Sequence, residues 1–254
     1  MKINAARSGL ELSTCAVKLR NKKMWFSVPN ETALARAKTI LTKEPCTIEW
    51  LDSFQPNSIM IDVGANVGMY SVYAAVMNGT KVYAFEPESQ NFSLLCQNIF
   101  LNKLDEQIHA WPAAISDSAT WSYLHLSQFM PAGSCHSFGE NLDPYLKQRE
   151  HAFKQGAIAT RLDWLVSQEI VPQPHYIKID VDGLEHKVIA GIQPLIEHPD
   201  FRSLLIELNP AVNEHKNTIA FLENLGLRYN TDQVEKAKRQ EGYFKDVAEY
   251  IFSR

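Results

Sequence analysis

Two glycines and two acids, set at the spacing of a strand, a turn and a second strand, are the first residues able to do chemistry here. The run Ile61-Asp62-Val63-Gly64-Ala65-Asn66-Val67-Gly68 leads from an apolar stretch into a helical one. Glycine at 64 and 68 lets the backbone turn tightly and lets a ligand approach with no Cβ in the way. The loop ends at a helix N-terminus, whose free N–H groups favour a carboxylate or a phosphate. Glu86 closes the next apolar run, where an acid can accept two hydrogen bonds from ribose hydroxyls.

The ligand those residues suit is a nucleoside with a small polar tail. A dinucleotide asks for G-x-G-x-x-G, with the second glycine against the pyrophosphate. Asn66 stands at that place and would crowd a pyrophosphate. The methionine end of S-adenosylmethionine is smaller and zwitterionic, and Asp62 is placed to take its ammonium group.

Methyl transfer is an in-line displacement, so the protein must position the nucleophile and exclude water. A hydroxyl acceptor also gains from a base. Asp180 and Asp182 end a later apolar run, 176–181, and both reach one crevice only if the backbone turns at Val181 or Gly183. Glu207 and Asn209 lie two apart on the next such run and share a face, so with Asp180 they form a conceivable Mg²⁺ set. Strand-end acids more often cap helices or bond backbone groups, and no metal is expected. His136 is a candidate base because an imidazole titrates near neutrality. Lys178 reads as a substrate anchor or the ion-pair partner of Glu207, and Glu185 and His186 as an ordinary first helical turn.

These residues need an α/β frame. Short apolar strands at 58–63, 81–86, 107–115, 176–181 and 204–208 alternate with helices at 69–77, 89–101 and 184–192, which predicts parallel strands covered on both faces. The expected division is an N-terminal helical cap, 1–57, with helices at 31–41 and 47–54, and a main domain, 58–254. Residues 120–159 break the alternation and read as an insertion whose aromatics, Trp121, Tyr123, Phe129, Phe138 and Tyr145, pack within it. Segments 227–230 and 249–252 read as a final pair of antiparallel edge strands, and Ser89 as a helix cap. The chain has 254 residues, 45% hydrophobic and 21% charged, with net charge −4, so no global field draws it to nucleic acid. No apolar run suits a bilayer span, residues 1–7 lack a secretory signal, and the four scattered cysteines suit a reducing cytoplasm.

At this point the chain resembles the FkbM family of methyltransferases. The resemblance rests on Asp62 to Gly68, Val82-Tyr-Ala-Phe-Glu-Pro87, Asn98 and Asn102, Ala114-Ile-Ser-Asp117, Thr160-Arg-Leu-Asp163, Ile177 to Glu185 and Leu205-Ile-Glu207. Asp182 departs from the glutamate more usual before that glycine, keeping the charge and shortening the reach. The resemblance implies a Rossmann-like, doubly wound α/β fold, with a seven-stranded mostly parallel sheet whose last strand is antiparallel. It implies S-adenosyl-L-methionine as cofactor, with Gly64, Asn66 and Gly68 around the methionine part and Glu86 on the ribose. Ser116 and Asp117 would lie beside the adenine, and Asp180 near the methyl group. The function it implies is O-methylation of a hydroxyl on a sugar, glycan or polyketide-like small molecule. N-methylation, a nicotinamide-dependent Rossmann oxidoreductase and a non-catalytic relic of the fold are the alternatives.

Overall fold

The computed structural model describes residues 2–4 and 11–254, and the reading of residues 1–7 lies largely outside them. The chain opens with β1 (Lys2–Asn4), β2 (Glu11–Leu19) and β3 (Lys22–Ser27), an antiparallel sheet, then α1 (Glu31–Thr39) and α2 (Pro45–Asp52). The cap is therefore a sheet plus two helices rather than helical throughout. In β2, buried Leu12 and Thr14 alternate with exposed Ser13, and Ala16 and Lys18 are exposed further on, the period of a strand with one covered face. Asn30 caps α1 by accepting the Ala33 N–H, and Pro45 starts α2 where a missing N–H costs nothing.

The main domain continues with β4 (Ile59–Val63), α3 (Met69–Asn78), β5 (Lys81–Phe85), α4 (Ser89–Asn102) and β6 (Ile108–Trp111). Next come β7 (Ala114–Ile115), β8 (Thr120–Leu126), β9 (Ser137–Phe138), β10 (Phe153–Thr160) and α5 (Leu162–Ser167). The remainder is β11 (Tyr176–Ile179), α6 (Glu185–Ile189), α7 (Gln193–Glu197), β12 (Ser203–Leu208), α8 (Asn213–Asn224), β13 (Arg228–Tyr229), α9 (Thr231–Ala237) and β14 (Ala248–Ser253).

Seven strands form the central sheet in the order β13-β14-β12-β11-β4-β5-β6. The five from β6 to β12 are parallel, and β14 runs antiparallel between β12 and β13. Of the expected edge pair, β13 is the edge and β14 lies inside, which explains its near-complete burial. Alternate residues feed two cores. Met60, Val82, Ala84, Tyr176 and Leu205 face α3, α4 and the cap, while Ile61, Val63, Phe85, Ile177, Ile179 and Ile206 face the later helices. No helix among the described residues is long and apolar enough to cross a membrane.

Three boundaries differ from expectation for local reasons. Pro112, which has no N–H to donate, ends β6, and the chain crosses to another sheet instead of extending one strand to Ile115. The cap of α4 is Glu88, whose carboxylate accepts the N–H groups of Gln90 and Asn91, not Ser89. The helix expected over 184–192 is the shorter α6, and Pro194, expected to end it, instead stands in the first turn of α7. Residues 120–159 are no loop excursion: β8, β9 and β10 join β7 in a four-stranded sheet, order β7-β10-β8-β9.

Candidate active site

The site arises where the cap-facing row of the central sheet turns from apolar to charged. Along each strand the same face reads Met60 then Asp62, Tyr176 then Lys178, Leu205 then Glu207, and Ile251 beside Glu249. Strand pairing sets Lys178 beside Asp62 and Glu207 beside Glu249. Burial near such charges is tolerable only when they neutralise one another. Lys178 is 2% exposed, and its Nζ sits 3.0 Å from Asp180 and 4.0 Å from Asp62. Arg239, from the loop after α9, pairs with Glu207 and also lies 3.4 Å from Glu249.

The glycine turn leaves β4 with φ of +77° at Gly64, +51° at Asn66 and +75° at Gly68. A Cβ on Gly64 would stand 1.8 Å from the Asp180 carbonyl oxygen, so only glycine lets the two strand ends approach. A Cβ on Gly68 would strike the Leu95 side chain at 2.3 Å, which makes Gly68 a packing glycine beneath α4. The Asn66 amide donates to the Gly133 carbonyl at 2.7 Å, tying the turn to the 120–159 segment. The two oxygens of Glu86 accept the Asn66 and Glu88 N–H groups, each at 2.8 Å.

After β11 the chain turns sharply through Asp180-Val-Asp-Gly183. Asp182 is left-handed at φ +57°, a conformation that short aspartate tolerates. The turn brings Asp180 and Asp182 to one cavity, as a bend at Val181 or Gly183 would require. Glu185 clamps it by accepting the N–H groups of Val181 and Gly183, and His215 Nε2 lies 3.0 Å from Glu185. Glu185 is thus a brace for the site rather than an ordinary first turn.

A cavity of about 450 Å³ spans these elements, within the ~300–1,000 Å³ usual for small-ligand sites. Part of its lining is apolar: Phe85, Ile115, Leu124 and Phe138, with Glu86 and Ser116 also lining it. Another part is ionic: Arg36, Lys43, Asp180, Asp182, Glu207 and Arg239. Beside the lining residue Phe244, Tyr243 OH donates to Asp143 at 3.0 Å and Tyr145 OH donates to the Tyr243 carbonyl, joining one loop to another.

The electrostatics separate the acids. Burial pushes Glu86 up to about 8 against the pull of its two N–H donors. Burial and the neighbouring Asp180 carboxylate push Asp182 up to about 6. The same two causes raise Glu207 well above the ordinary value, opposed by Arg239. For Asp180 burial also acts upward, but the Lys178 and Lys43 ammoniums hold it below the ordinary range. Burial, aided by Arg149 and Arg36, lowers His136 to about 4. Its Nδ1 accepts the Ser127 N–H at 3.3 Å, leaving a buried Nε2 with no partner among the described residues.

The family model described as Methyltransferase FkbM domain matches residues 62–229 of the 254. The chain belongs to the FkbM methyltransferase family. Among curated relatives, the 31-O-demethyl-FK506 methyltransferase FkbM of Streptomyces tacrolimicus is 23% identical over 200 residues, 70% of this chain and 76% of that one. The hexuronic acid methyltransferase AglP of Haloferax volcanii is 21% identical over 222 residues, 86% of this chain and 82% of that one. The solved FkbM methyltransferase of Methylobacillus flagellatus superposes with a TM-score of 0.50 at 13% identity, covering 88% of this chain and 54% of that one. That likeness bears on the fold alone, and the fold is the Rossmann-like one expected.

As an FkbM methyltransferase the chain uses S-adenosylmethionine, which sets the nicotinamide alternative aside. The site fits that cofactor: the glycine turn lines the cavity at Gly64 and Asn66, Glu86 is a buried acid beside them, and His136 offers an unpartnered nitrogen. Of the residues singled out in the sequence, Gly64, Asn66, Glu86, Ser116, His136, Asp180, Asp182 and Glu207 line the cavity. Several expectations change. Asp62 does not line the main cavity: it lies under the turn, accepting the Ser71 hydroxyl at 2.6 Å, and its other oxygen faces Lys178. Gly68 packs on Leu95, and exposed Asp117 does not line the cavity but accepts the hydroxyls of Ser116, which does, and Ser118. Lys178 pairs with Asp180 and Asp62, not with Glu207. Asn209 accepts the Ala211 N–H and lies off the cavity, so the Asp180–Glu207–Asn209 set does not converge, and Arg239 neutralises Glu207 instead. Sequence reasoning missed Arg36, Lys43, Arg239 and Phe244 as lining residues; only the helical spacing of Thr32, Arg36 and Thr39 hinted at the first.

Proposed function

We propose that this methyltransferase transfers a methyl group to a hydroxyl of a sugar, glycan or polyketide-like small molecule, with Asp182 receiving the hydroxyl proton. S-adenosylmethionine, when bound, supplies the electrophilic methyl carbon on a sulfonium. Gly64 and Asn66 would hold its methionine part, Glu86 its ribose and Ser116 its adenine, with Asp180 beside the methyl group. Asp180 is held ionised by Lys178 and is a poor proton acceptor, but its charge suits a cationic sulfonium. His136, lowered to about 4, is also a weak base, and its free Nε2–H serves better as a hydrogen-bond donor.

The observation that carries the reading is Asp182: a cavity-lining carboxyl at about 6, outside any ion pair among the described residues, with one oxygen engaged by the Cys135 N–H at 2.7 Å. Such a group is ionised at neutral pH yet basic enough to take a proton in the transition state. The two named relatives, one acting on an FK506 precursor and one on a hexuronic acid, accord with an oxygen acceptor. The four cysteines are all free, which accords with a reducing cytoplasm.

The test is calorimetric titration with S-adenosylhomocysteine, with NAD as control, followed by turnover on hydroxylated acceptors. Wild type should bind the first ligand and not NAD. Asp182→Asn should retain that binding and lose turnover by about 10²–10⁴-fold. The wild-type rate should rise with pH through about 6 and the variant's should not. Binding of NAD instead, or full turnover by Asp182→Asn, would defeat the reading.

A further inference from the structure

The cap presents one face of α1 to the cavity. Thr32, Ala35, Arg36 and Thr39 recur at helical spacing along that face, while Ala33, Ala37 and Ile40 are buried on the opposite one. Arg36 is half-buried. Its Nε donates to the Ala132 carbonyl at 3.0 Å, which fixes the guanidinium against the 120–159 segment. The cavity's other cations are already matched: Lys43 with Glu44 at 2.7 Å, and Arg239 with Glu207 and Glu249. Lys178, in the adjoining cleft under the turn, is matched with Asp180 and Asp62. No carboxylate among the described residues is paired with Arg36. Its charge nonetheless acts within the cavity, lowering both Asp182 and His136.

A guanidinium held by its Nε still offers its terminal nitrogens as a planar fork, the geometry that takes a carboxylate in two parallel hydrogen bonds. Arg36 lines the cavity with no carboxylate partner among the described residues, so this fork is open to an anionic group of a ligand. The donor's amino-acid carboxylate and a carboxylate on the acceptor have the same chemistry. The position favours the acceptor: Arg36 lies on the cap, outside the family-matched residues 62–229, and its field reaches the proton-accepting Asp182. We propose that Arg36, flanked by Thr32 and Lys43, binds a carboxylate of the methyl acceptor, so that the acceptor is a hydroxy acid of the uronic sugar kind. This rests on the methyl-transfer reading above.

The experiment compares wild type, Arg36→Gln and Arg36→Lys, each first checked for an unchanged melting profile. Titration with S-adenosylhomocysteine is set against 5′-methylthioadenosine, which has no amino-acid carboxylate. With the first ligand saturating, D-glucuronate and D-galacturonate are titrated against D-glucose and D-galactose. Wild type should prefer at least one acid to its neutral partner by about tenfold or more, the scale of a charge-assisted hydrogen bond. Arg36→Gln should abolish that preference, Arg36→Lys should recover part of it, and S-adenosylhomocysteine should bind all three alike. If Arg36→Gln weakens S-adenosylhomocysteine but not methylthioadenosine, the anion is the donor's and the proposal falls. Equal binding of acids and neutral sugars to wild type overturns it too. Failure of wild type to bind S-adenosylhomocysteine would instead defeat the methyl-transfer reading itself.

Discussion

Two parts of the cavity lining are held by different means. Around the glycine turn the backbone does the holding: the Asn66 and Glu88 N–H groups fix Glu86, and Gly64 lets the turn rest on the Asp180 carbonyl. Among the ionic residues, side chains from separate segments hold one another: Lys178 from β11 with Asp62 from β4, and Arg239 from the loop after α9 with Glu207 from β12 and Glu249 from β14. Backbone-held geometry demands a particular residue at each point. Side-chain pairs need only complementary charge and reach, so the ionic part can change ligand while the glycine turn stays fixed.

The comparison is tested most severely at Gly64. Gly64→Ala must place its Cβ at 1.8 Å from a backbone oxygen, at φ +77°, and neither strand end can retreat without breaking the sheet. The expected cost is about 3 kcal/mol or more of unfolding free energy, with cofactor binding lost. Gly68→Ala meets only the Leu95 side chain and should cost about 1–3 kcal/mol. Denaturant unfolding checks both, and an equal cost at the two glycines would remove the distinction between a glycine set against backbone and one set against a side chain.

The next effect is a pH dependence. Glu86 is pushed up to about 8, Glu249 to about 7 and Asp182 to about 6, all above their unfolded values. A carboxyl raised by folding imposes no penalty below its unfolded value; the penalty grows as pH rises and is complete above the folded one. Asp180 and Glu44 shift downward and act oppositely: their contribution is present above the unfolded value and lost as pH falls through the lowered one. The melting temperature of the ligand-free protein should therefore decline from about pH 5 to about pH 8. Ribose hydroxyls need the ionised Glu86, so S-adenosylhomocysteine should bind more tightly at pH 8.5 than at 6.5, by up to about tenfold per unit. Glu86→Ala should abolish that trend, and a flat binding profile in wild type would place the ribose elsewhere.

What was legible in the sequence follows the same division. The glycine turn, Glu86 and the parallel strands were readable because steric and hydrogen-bond demands leave few residue types at those places. Asp62 misled because it sits on the right strand but the alternating face sends it beneath the turn, to Ser71. Asn209 misled for a related reason: it shares the strand of Glu207, but its own turn claims the side chain. Arg36 was unreadable as a site residue, since a solvated helix face and a ligand-facing one carry the same letters, and Lys43 and Arg239 were unreadable because they stand in connecting segments whose path only the fold sets. Glu185 was hidden by being a common first-turn residue whose work, clamping Val181 and Gly183, depends on a turn visible only in three dimensions.

The smallest expected effect concerns the outer face of the β8–β10 sheet, where packing was expected for the aromatics. Trp121 stands opposite Ile158 but is 86% exposed, and Phe129 is 61% exposed, whereas Phe138 lines the cavity and Tyr145 packs edge-on against Tyr243. A side chain that leaves water so little on folding contributes little hydrophobic stabilisation. Trp121→Ser should shift unfolding by less than about 0.5 kcal/mol and leave S-adenosylhomocysteine binding unchanged. Phe138→Ala, in the apolar part of the lining, should weaken that binding in the same titration. A large stability loss at Trp121 would mean that this face is covered, and the division between a functional inner face and an idle outer one would have to be redrawn.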